Sequence, residues 1–377
     1  MKLLLFISQL SCGGAERVAA NMSNYWVSKG WSIILVTLTA KSDDFYELSP
    51  KVRRVAFNLA GESKNLFIAI WNNIRRIRAL RRVLLETKPD IALSMMDKNN
   101  VLLALASVGL KNVYFIGSEH IHPPQYPLGR IWELLRRWTY RWLDAVVALT
   151  SESGEWLRRH TSARLVRVIP NAVPSLLPSA PPYALPPNRT TTEDYRLLAI
   201  GRLVRQKGFD ILISAFKKLS QHFPAWRLYI VGEGPLRGEL MRQIVESKLQ
   251  DRVILVGRVG NVGDWYRAAD IYVMSSRFEG FPNTLVEAMA HGLPVVSFAC
   301  ETGPASIIRD GYDGMLVPPG DVEGLVRALG ALMTNHELRR YFGERALEVH
   351  KRFSVERIAD MWESLFDELQ QDCPKYQ

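Results

Sequence analysis

The sequence predicts an α/β protein with two doubly wound parallel sheets, and three observations support this. Short apolar segments alternate with helical stretches over residues 1–169, and a second alternating series begins near residue 195. Seven prolines fall between the two series, in 170–187, and a polar run follows them. We therefore predict an N-terminal domain (1–169), a linker (170–194), a C-terminal domain (195–354) and a helical tail (about 355–377).

The predicted strands are short and apolar, and most are separated by enough chain for a helix. In the N-terminal domain they cover 3–7, 33–38, 52–57, 91–94, 113–117, 145–149 and 165–169. In the C-terminal domain they cover 197–200, 227–231, 253–256, 271–274, 295–297 and 315–317. Open sheets of this kind bind ligands beyond the carboxyl ends of their strands, so the loops after the strands are the candidate site.

Composition indicates a globular protein of a reducing compartment. The chain is 47% hydrophobic and 23% charged. Its three cysteines, Cys12, Cys300 and Cys373, have no closely spaced pattern, so we expect no disulfides. The apolar start breaks at Ser8 and resembles a buried strand more than a signal peptide, and no apolar run approaches the length of a membrane span. These features predict a cytoplasmic protein.

Positive charge is concentrated in the N-terminal domain. The net charge is +10, and the first 170 residues hold 24 Lys and Arg against 13 Asp and Glu, while the remainder is nearly balanced. Seven of the ten tryptophans also lie in this part. Basic residues combined with Trp suggest an anionic membrane surface as a partner. Nucleic acid would also require positive charge, but no nucleic-acid motif is present, so we expect no nucleic-acid partner.

The most informative stretch is 275–287, which follows the predicted strand 271–274. It contains a Gly-bearing loop and opens into a predicted helix over 284–290 that ends before Gly292. A helix N-terminus after such a loop presents backbone N–H groups and a positive dipole end to an anion. Two carboxylates, Glu279 and Glu287, are eight residues apart and suit sugar hydroxyls. One stretch can thus hold a phosphate and a sugar.

The segment from Glu279 to Ala288, Glu-Gly-Phe-Pro-Asn-Thr-Leu-Val-Glu-Ala, resembles the E-x7-E signature of retaining glycosyltransferase family 4. The resemblance implies the GT-B fold, two Rossmann-like domains facing across a cleft, with a C-terminal helix that returns to the first domain. It implies that Glu279 faces the donor sugar and Glu287 the nucleotide ribose. The residues between them are assigned to donor binding: Phe281, Pro282, Asn283, Thr284 and Leu285. An ordinary turn with two solvent-facing acids is the alternative.

Other segments resemble the same family. Arg202 and Lys207 lie in a G-R-L…K-G pattern, and we expect them to neutralise the diphosphate of the donor. The sequence has no Asp-x-Asp, the pattern of metal-dependent glycosyltransferases, so no metal and no cofactor are expected. The turn after the strand 253–256 is where the family binds the base, which assigns Arg258 or Val259.

The N-terminal domain has two matches of its own. The Gly-Gly-Ala-Glu-Arg segment after the first strand resembles the family, where Gly14 would face the donor diphosphate; tight helix–strand packing is the alternative. In Ser-Glu-His, after the strand 113–117, His120 is the candidate contact to the donor sugar near the reacting centre, and a structural histidine is the alternative. Asp97 and Asn99 are weaker candidates for contacting the acceptor.

A basic helix is predicted over 66–85. Arg75, Arg78 and Arg82 share one face of it and are the candidate acceptor-binding residues, because three guanidinium groups in a row suit a lipid headgroup or a lipid-linked pyrophosphate. A solvated basic face is the alternative. A second basic and aromatic helix is predicted over 130–142, and its tryptophans suit either a membrane or the core.

Together, the Gly-Gly-Ala-Glu-Arg segment, Ser-Glu-His and the basic helix over 66–85 resemble bacterial N-acetylgalactosaminyltransferases and related transferases that act on polyprenyl-diphosphate-linked oligosaccharides. The resemblance implies a retaining, metal-independent glycosyltransferase that moves GalNAc, GlcNAc, Gal or Glc from a UDP-sugar to such an acceptor. We expect it to act peripherally on the inner face of the plasma membrane, in glycan, capsule or exopolysaccharide biosynthesis. No covalent nucleophile is evident, which favours front-face substitution. The alternatives are a transferase acting on lipopolysaccharide core or another glycolipid, a GT-B sugar-nucleotide epimerase, and a nonenzymatic polyanion-binding protein.

Overall fold

The computed structural model describes residues 1–11, 13–61, 65–173, 177, 179–189, 191 and 194–372. Cys12, Cys373, part of the predicted linker and the end of the predicted tail lie outside the described residues. The chain forms two compact units, one of Met1–Ala172 together with the C-terminal helix and one of Val173–Ser354. The prediction of two parallel, doubly wound sheets is confirmed.

The first unit contains a seven-stranded parallel sheet with the strand order β3-β2-β1-β4-β5-β6-β7. Its strands are β1 (Lys2–Ile7), β2 (Ser32–Thr37), β3 (Arg53–Ala56), β4 (Ile91–Met95), β5 (Tyr114–Glu119), β6 (Ala145–Ala148) and β7 (Val166–Val168). Its first five helices are α1 (Gly14–Ser28), α2 (Leu66–Thr87), α3 (Asp97–Ser107), α4 (Arg130–Thr139) and α5 (Ser151–His160).

The second unit contains a six-stranded parallel sheet with the order β10-β9-β8-β11-β12-β13. Its strands are β8 (Tyr195–Ile200), β9 (Trp226–Val231), β10 (Val253–Gly257), β11 (Ile271–Met274), β12 (Val295–Phe298) and β13 (Met315–Val317). Its helices are α6 (Phe209–Ser220), α7 (Arg237–Glu246), α8 (Val262–Ala268), α9 (Asn283–Ala290), α10 (Pro304–Ile307), α11 (Val322–Thr334), α12 (His336–Ala346) and α13 (Val349–Phe353).

The side chains of β1 explain why the first sheet is buried on both faces. Leu3 and Leu5 pack in a cluster with Trp26 of α1, whereas Leu4 and Phe6 pack in a second cluster with residues of α2 and α3. Successive side chains of a strand point to opposite faces, so an unbroken apolar run is what a sheet covered by helices on both sides requires.

The chain ends in a helix that belongs to the first unit. This helix, α14 (Val355–Asp372), lies on the α1 side of the sheet. Its Phe366 is fully buried, with its ring centroid 5.9 Å from that of Trp26 and 6.1 Å from that of Trp31. Among the described residues, no helix combines the length and the apolar composition needed to cross a bilayer.

Residues 179–189 of the predicted linker pack onto the second unit. The indole N–H of Trp265 donates to the Ala184 carbonyl at 2.8 Å, and the Gly260 amide donates to the Pro182 carbonyl at 2.7 Å. A Cβ at Gly260 would lie 1.7 Å from the Ala180 oxygen, so the two backbones approach closely because residue 260 has no side chain.

Each sheet has one place where the strand order reverses. In the first unit it lies between β1 and β4, and in the second between β8 and β11. The loops after these neighbouring strands diverge to opposite faces and leave a crevice at the carboxyl edge, where ligands of open α/β sheets bind. Gly14, at the start of α1, and the loops that contain Lys207 and Glu279 follow these strands.

Replacing Phe366 by Ala is expected to lower the free energy of unfolding by about 3–5 kcal/mol, because a fully buried aromatic ring is lost and a cavity remains. Denaturant unfolding followed by circular dichroism measures the change. Leu347→Ala, at an exposed position, is the matched control and should stay within about 0.5 kcal/mol of the wild type. Equal effects of the two substitutions would contradict the packing of α14 described above.

Candidate active site

The loops after β8 and β11 meet at an ion pair. The Lys207 ammonium lies 2.6 Å from Oε1 of Glu279, and the Ser276 hydroxyl donates to the same oxygen at 2.6 Å. Glu279 is only 5% exposed. Both bonds fall on Oε1, and Oε2 accepts no hydrogen bond from any described residue. The carboxylate is therefore held in place by one oxygen while the other can accept from a ligand.

Backbone and side-chain bonds tie these two loops together. The Arg277 guanidinium contacts both carboxylate oxygens of Asp210, at 2.8 and 2.6 Å, and the Gln206 amide donates to the Phe278 carbonyl at 3.0 Å. The Ser275 hydroxyl donates to the Lys207 carbonyl at 2.9 Å. Gly208 has φ +64°, and a Cβ there would lie 2.0 Å from the Ser275 oxygen. The close approach that places Lys207 on Glu279 depends on this glycine.

A third segment, after β12, holds the backbone of the Glu279 loop through Cys300 and Thr302. The Thr302 hydroxyl donates to the Glu279 carbonyl, and the Cys300 thiol donates to the Ser276 carbonyl at 2.9 Å. Burial raises the pKa of the Cys300 thiol to about 12, with the charge of Glu279 adding to the effect. Cys300 is therefore a protonated structural residue and not a reactive thiol.

Glu287 lies inside α9 and is also buried, at 2% exposure. The Tyr266 hydroxyl lies 3.1 Å from Oε2 of Glu287 and 3.1 Å from the Thr284 carbonyl. The Tyr272 hydroxyl donates to the Thr284 hydroxyl at 2.9 Å. Two tyrosines thus fix the first turn of α9 and the carboxylate one turn further on.

The remaining predicted donor residues contribute in two different ways. The side chains of Phe281, Pro282, Leu285 and Val259 are buried, and their predicted contacts to the donor remain predictions. Asn283 and Thr284, at the start of α9, are half-buried, and this end of the helix carries the positive dipole end. The side chains of Arg202 and Arg258 are exposed and pair with no described residue. Their predicted contacts remain predictions.

In the first unit, Gly14 begins α1 and is exposed, while His120 follows directly after β5. The His120 ring nitrogen Nε2 lies 3.2 Å from the Ser118 hydroxyl, and Nδ1 is buried with no partner among the described residues. Burial lowers the pKa of His120 to about 4, so the imidazole is neutral at pH 7. A neutral ring can donate to one group and accept from another.

Next to His120 is a buried polar cluster that sequence analysis missed. The Tyr140 hydroxyl donates to Oε1 of Glu119, and the Arg136 guanidinium lies 3.9 Å from the same oxygen. Arg136 also pairs with Glu133, and Asn100 donates to the Tyr140 hydroxyl at 3.3 Å. A Glu at the end of an apolar strand is the signal in the sequence, but its partners lie on α4 and in the turn after it.

Burial raises the pKa of Glu119 to about 7, while the charge of Arg136 acts in the opposite direction. Burial also raises the pKa of Asp97, at the start of α3.

Asn99 bonds the Ser8 hydroxyl at 2.8 Å and the Met95 carbonyl at 2.7 Å, which makes it a structural link between the loops after β1 and β4. Met96, which directly precedes α3, has φ +80° and ψ 147°, a strained conformation for a residue with a side chain.

The five central arginines of α2 fall into two groups. Arg76 donates to the Leu59 and Gly61 carbonyls, and Arg81 donates to the Ala106 and Val108 carbonyls, so both hold the helix in place. The other three are exposed and pair with no described residue: Arg75, Arg78 and Arg82. They share one side of the helix with the exposed side chains Phe67, Trp71 and Leu85.

Two doubly wound parallel sheets, each with polar loops at its switch point, are the architecture of the GT-B fold. Residues 12–175 match the family model described as Glycosyltransferase Family 4, and residues 194–335 match the one described as Glycosyl transferases group 1. The chain therefore contains a glycosyltransferase family 4 domain followed by a glycosyl transferases group 1 domain, which confirms the resemblance seen in the sequence.

Two curated relatives illustrate the similarity. The chain is 34% identical over 349 residues to an exopolysaccharide phosphotransferase of Streptomyces coelicolor, with 89% of this chain covered; it spans only 35% of that protein's length. It is 27% identical over 370 residues to GalNAc-alpha-(1->4)-GalNAc-alpha-(1->3)-diNAcBac-PP-undecaprenol alpha-1,4-N-acetyl-D-galactosaminyltransferase of Campylobacter jejuni, with 98% of this chain and 99% of that protein covered.

Solved structures share the fold. Sucrose-phosphate synthase from Thermosynechococcus elongatus superposes with a TM-score of 0.81 at 21% identity, with 98% of each chain covered. The Anabaena HepE protein in complex with UDP and glucose superposes with a TM-score of 0.76 at 18% identity, with 98% of this chain and 100% of that chain covered. Within the part of this chain that the structure describes, no three His, Cys, Asp or Glu side chains come together as a metal site requires.

Replacing Glu119 by Gln should change how stability depends on pH. In the folded protein the pKa of Glu119 is about 7, above the ordinary value of 4.5. The protonated carboxyl therefore contributes its full stabilisation below pH 4.5, and this stabilisation is lost as the pH rises through 7. Between pH 4.5 and 7.5, the wild type should lose up to about 3 kcal/mol of unfolding free energy relative to Glu119→Gln. Urea unfolding across this range measures the difference.

The exposed acid Glu152 provides the control for this prediction, because Glu152→Gln should follow the wild type at every pH. Parallel curves for the wild type and Glu119→Gln would show that Glu119 is ionised throughout and would contradict the raised pKa.

Proposed function

We propose that this protein is a retaining glycosyltransferase that moves a hexose or N-acetylhexosamine from a UDP-sugar to a polyprenyl-diphosphate-linked oligosaccharide. The observation that carries the proposal is the cluster of Lys207, Ser276 and Glu279 beside the N-terminus of α9. It combines a fixed carboxylate, a cation and a helix dipole within two neighbouring loops. The family membership and the relatives named above support the same reaction class.

Acidic side chains bind the hydroxyl groups of the donor, and basic side chains bind its diphosphate. Oε2 of Glu279 accepts from a hydroxyl of the donor sugar, and Glu287 accepts from the ribose hydroxyls. The Lys207 ammonium uses one of its three donors on Glu279, which leaves two for the diphosphate, together with Arg202 and the backbone N–H groups at the start of α9. Gly14 approaches the diphosphate, and the base lies against Arg258 and the Val259 backbone.

Transfer follows a front-face course. The bond from the anomeric carbon to the diphosphate breaks, the acceptor oxygen bonds to the same face of that carbon, and the acceptor proton passes to the leaving phosphate oxygen. Lys207, Arg202 and the α9 dipole stabilise the charge on the leaving diphosphate, which makes a divalent metal unnecessary. Neutral His120 donates to a sugar hydroxyl near the reacting centre. Glu279 orients the sugar and forms no covalent bond to it.

The acceptor is proposed to be a lipid-linked diphosphate because of α2. Its three arginines that pair with no described residue extend over about 10 Å along one side of the helix and can contact a pyrophosphate in turn. The Campylobacter jejuni relative, whose name includes PP-undecaprenol, supports this class of acceptor. A substrate of this kind resides in a membrane, so we propose that the enzyme works peripherally at the anionic inner face of the plasma membrane.

The donor site is tested by thermal unfolding in EDTA with and without UDP. With UDP at about 100 times its dissociation constant, the wild type should gain about 2.7 kcal/mol of stability, seen as a rise in midpoint. Glu287→Gln keeps an acceptor for Tyr266 and should lose most of this rise. Glu337→Gln, an exposed acid of the same unit, should keep it. No rise with UDP, GDP or ADP in the wild type would overturn the donor assignment.

The acceptor site is tested by steady-state kinetics with a synthetic polyprenyl-diphosphate-linked oligosaccharide and a panel of UDP-sugars. The triple variant Arg75→Gln, Arg78→Gln, Arg82→Gln should raise KM for the acceptor about tenfold or more, and leave KM for the UDP-sugar unchanged. Arg242→Gln, at an exposed arginine of the second unit, should alter neither constant. Conversion of a UDP-sugar without any acceptor would instead favour a sugar-nucleotide epimerase.

A further inference from the structure

Helix α4 of the first unit has apolar side chains on two sides, and only one of these sides packs against the core. On the inner side of α4, Trp132 and Leu135 pack against the core and Arg136 is buried. On the outer side, Ile131, Leu134 and Trp138 are 60%, 57% and 52% exposed, and Trp142 in the following turn is 38% exposed. These four residues are three or four positions apart and form one line, which we name the α4 stripe.

Positive charge accompanies the α4 stripe. Arg130, Arg137 and Arg141 are exposed, and the Arg141 guanidinium lies 5.3 Å from the Trp138 ring and 5.4 Å from the Trp142 ring. The one acidic residue of α4, Glu133, pairs with the buried Arg136 on the inner side. The outer side of α4 therefore combines large apolar groups with three positive charges and no negative charge.

The chemistry of this surface distinguishes between partners. A second copy of the chain docked symmetrically would bring three arginines against three arginines, which is unfavourable without counterions. Apolar side chains flanked by Arg, with Trp rings at the boundary, are what a helix lying in the plane of an anionic lipid surface presents. Arg141 can contact a headgroup phosphate while its stem remains against the two indole rings.

We propose that the α4 stripe is the element that inserts among the headgroups of an anionic phospholipid surface, with Arg130, Arg137 and Arg141 contacting phosphates. This deepens the proposed function, because it rests on the enzyme working at a membrane and assigns the lipid contact to α4. The arginines of α2 remain available for the diphosphate of the acceptor.

The proposal is tested by sedimenting the full-length protein with vesicles that contain no acceptor lipid. Vesicles of phosphatidylcholine alone are compared with vesicles containing about one-third phosphatidylglycerol. The wild type should bind the anionic vesicles and not the neutral ones. Leu134→Ser with Trp138→Ser should lower binding about tenfold or more, because it removes two of the four apolar side chains of the α4 stripe. Arg137→Gln with Arg141→Gln should lower it about fivefold per charge and weaken its salt dependence.

Two controls separate lipid binding from loss of structure. Met241→Ser with Val245→Ser removes exposed apolar groups from α7 and should leave vesicle binding unchanged. The midpoint rise with UDP, measured on every variant, reports the donor site independently of the membrane. Vesicle binding with no UDP effect would count against the proposed function alone. A wild type that ignores anionic vesicles, or a stripe variant that binds them normally, overturns the lipid assignment. A stripe variant that only changes oligomeric state overturns it in favour of a protein interface.

Discussion

Both sheets of this protein are parallel and covered by helices on both faces, and this constraint determines where chemistry can occur. A strand such as β1 packs its side chains into a core on each side, so no face of the sheet is left for a ligand. Within each sheet, only the strand ends present unpaired backbone groups. A site built on the sheet itself therefore lies in the loops at the carboxyl edge, and the reversal of strand order separates two of those loops in each unit.

The two units use buried charge for different purposes. In the second unit, Lys207 is one-fifth exposed and bonds only Oε1 of Glu279. Two donors of the Lys207 ammonium and Oε2 of Glu279 can therefore bond another group. In the first unit, Glu119 and Arg136 are almost fully buried and joined by Tyr140 and Asn100. Burial raises the pKa of Glu119, and the hydrogen bonds from Tyr140 and Asn100 hold the strand end that precedes His120.

On α2 and α4 of the first unit, some side chains bond or pack against neighbouring elements and others are exposed to solvent. Arg76 and Arg81 donate to backbone carbonyls and attach α2 to its neighbours, whereas the other three arginines of the helix, Arg75, Arg78 and Arg82, are exposed to solvent. On α4, one side anchors Arg136 and the other exposes Leu134 and Trp138. The excess positive charge of the N-terminal half thus appears on two separate helices, α2 and α4, and exposed aromatic rings accompany the arginines on both.

The sequence by itself determined the fold class and the resemblance to glycosyltransferases, and it placed Glu279 and Glu287 in one loop and the helix after it, because these features depend on strand–helix alternation and on spacing within one segment. It could not identify the partners of Glu119, since Arg136 and Tyr140 are separated from it by a loop of irregular structure. Nor could it tell which of Arg75, Arg76, Arg78, Arg81 and Arg82 are free, or whether Trp138 lies in the core. Those answers depend on how helices pack on the sheet, and only the tertiary structure decided them, because exposure and pairing are properties of neighbours distant in the chain.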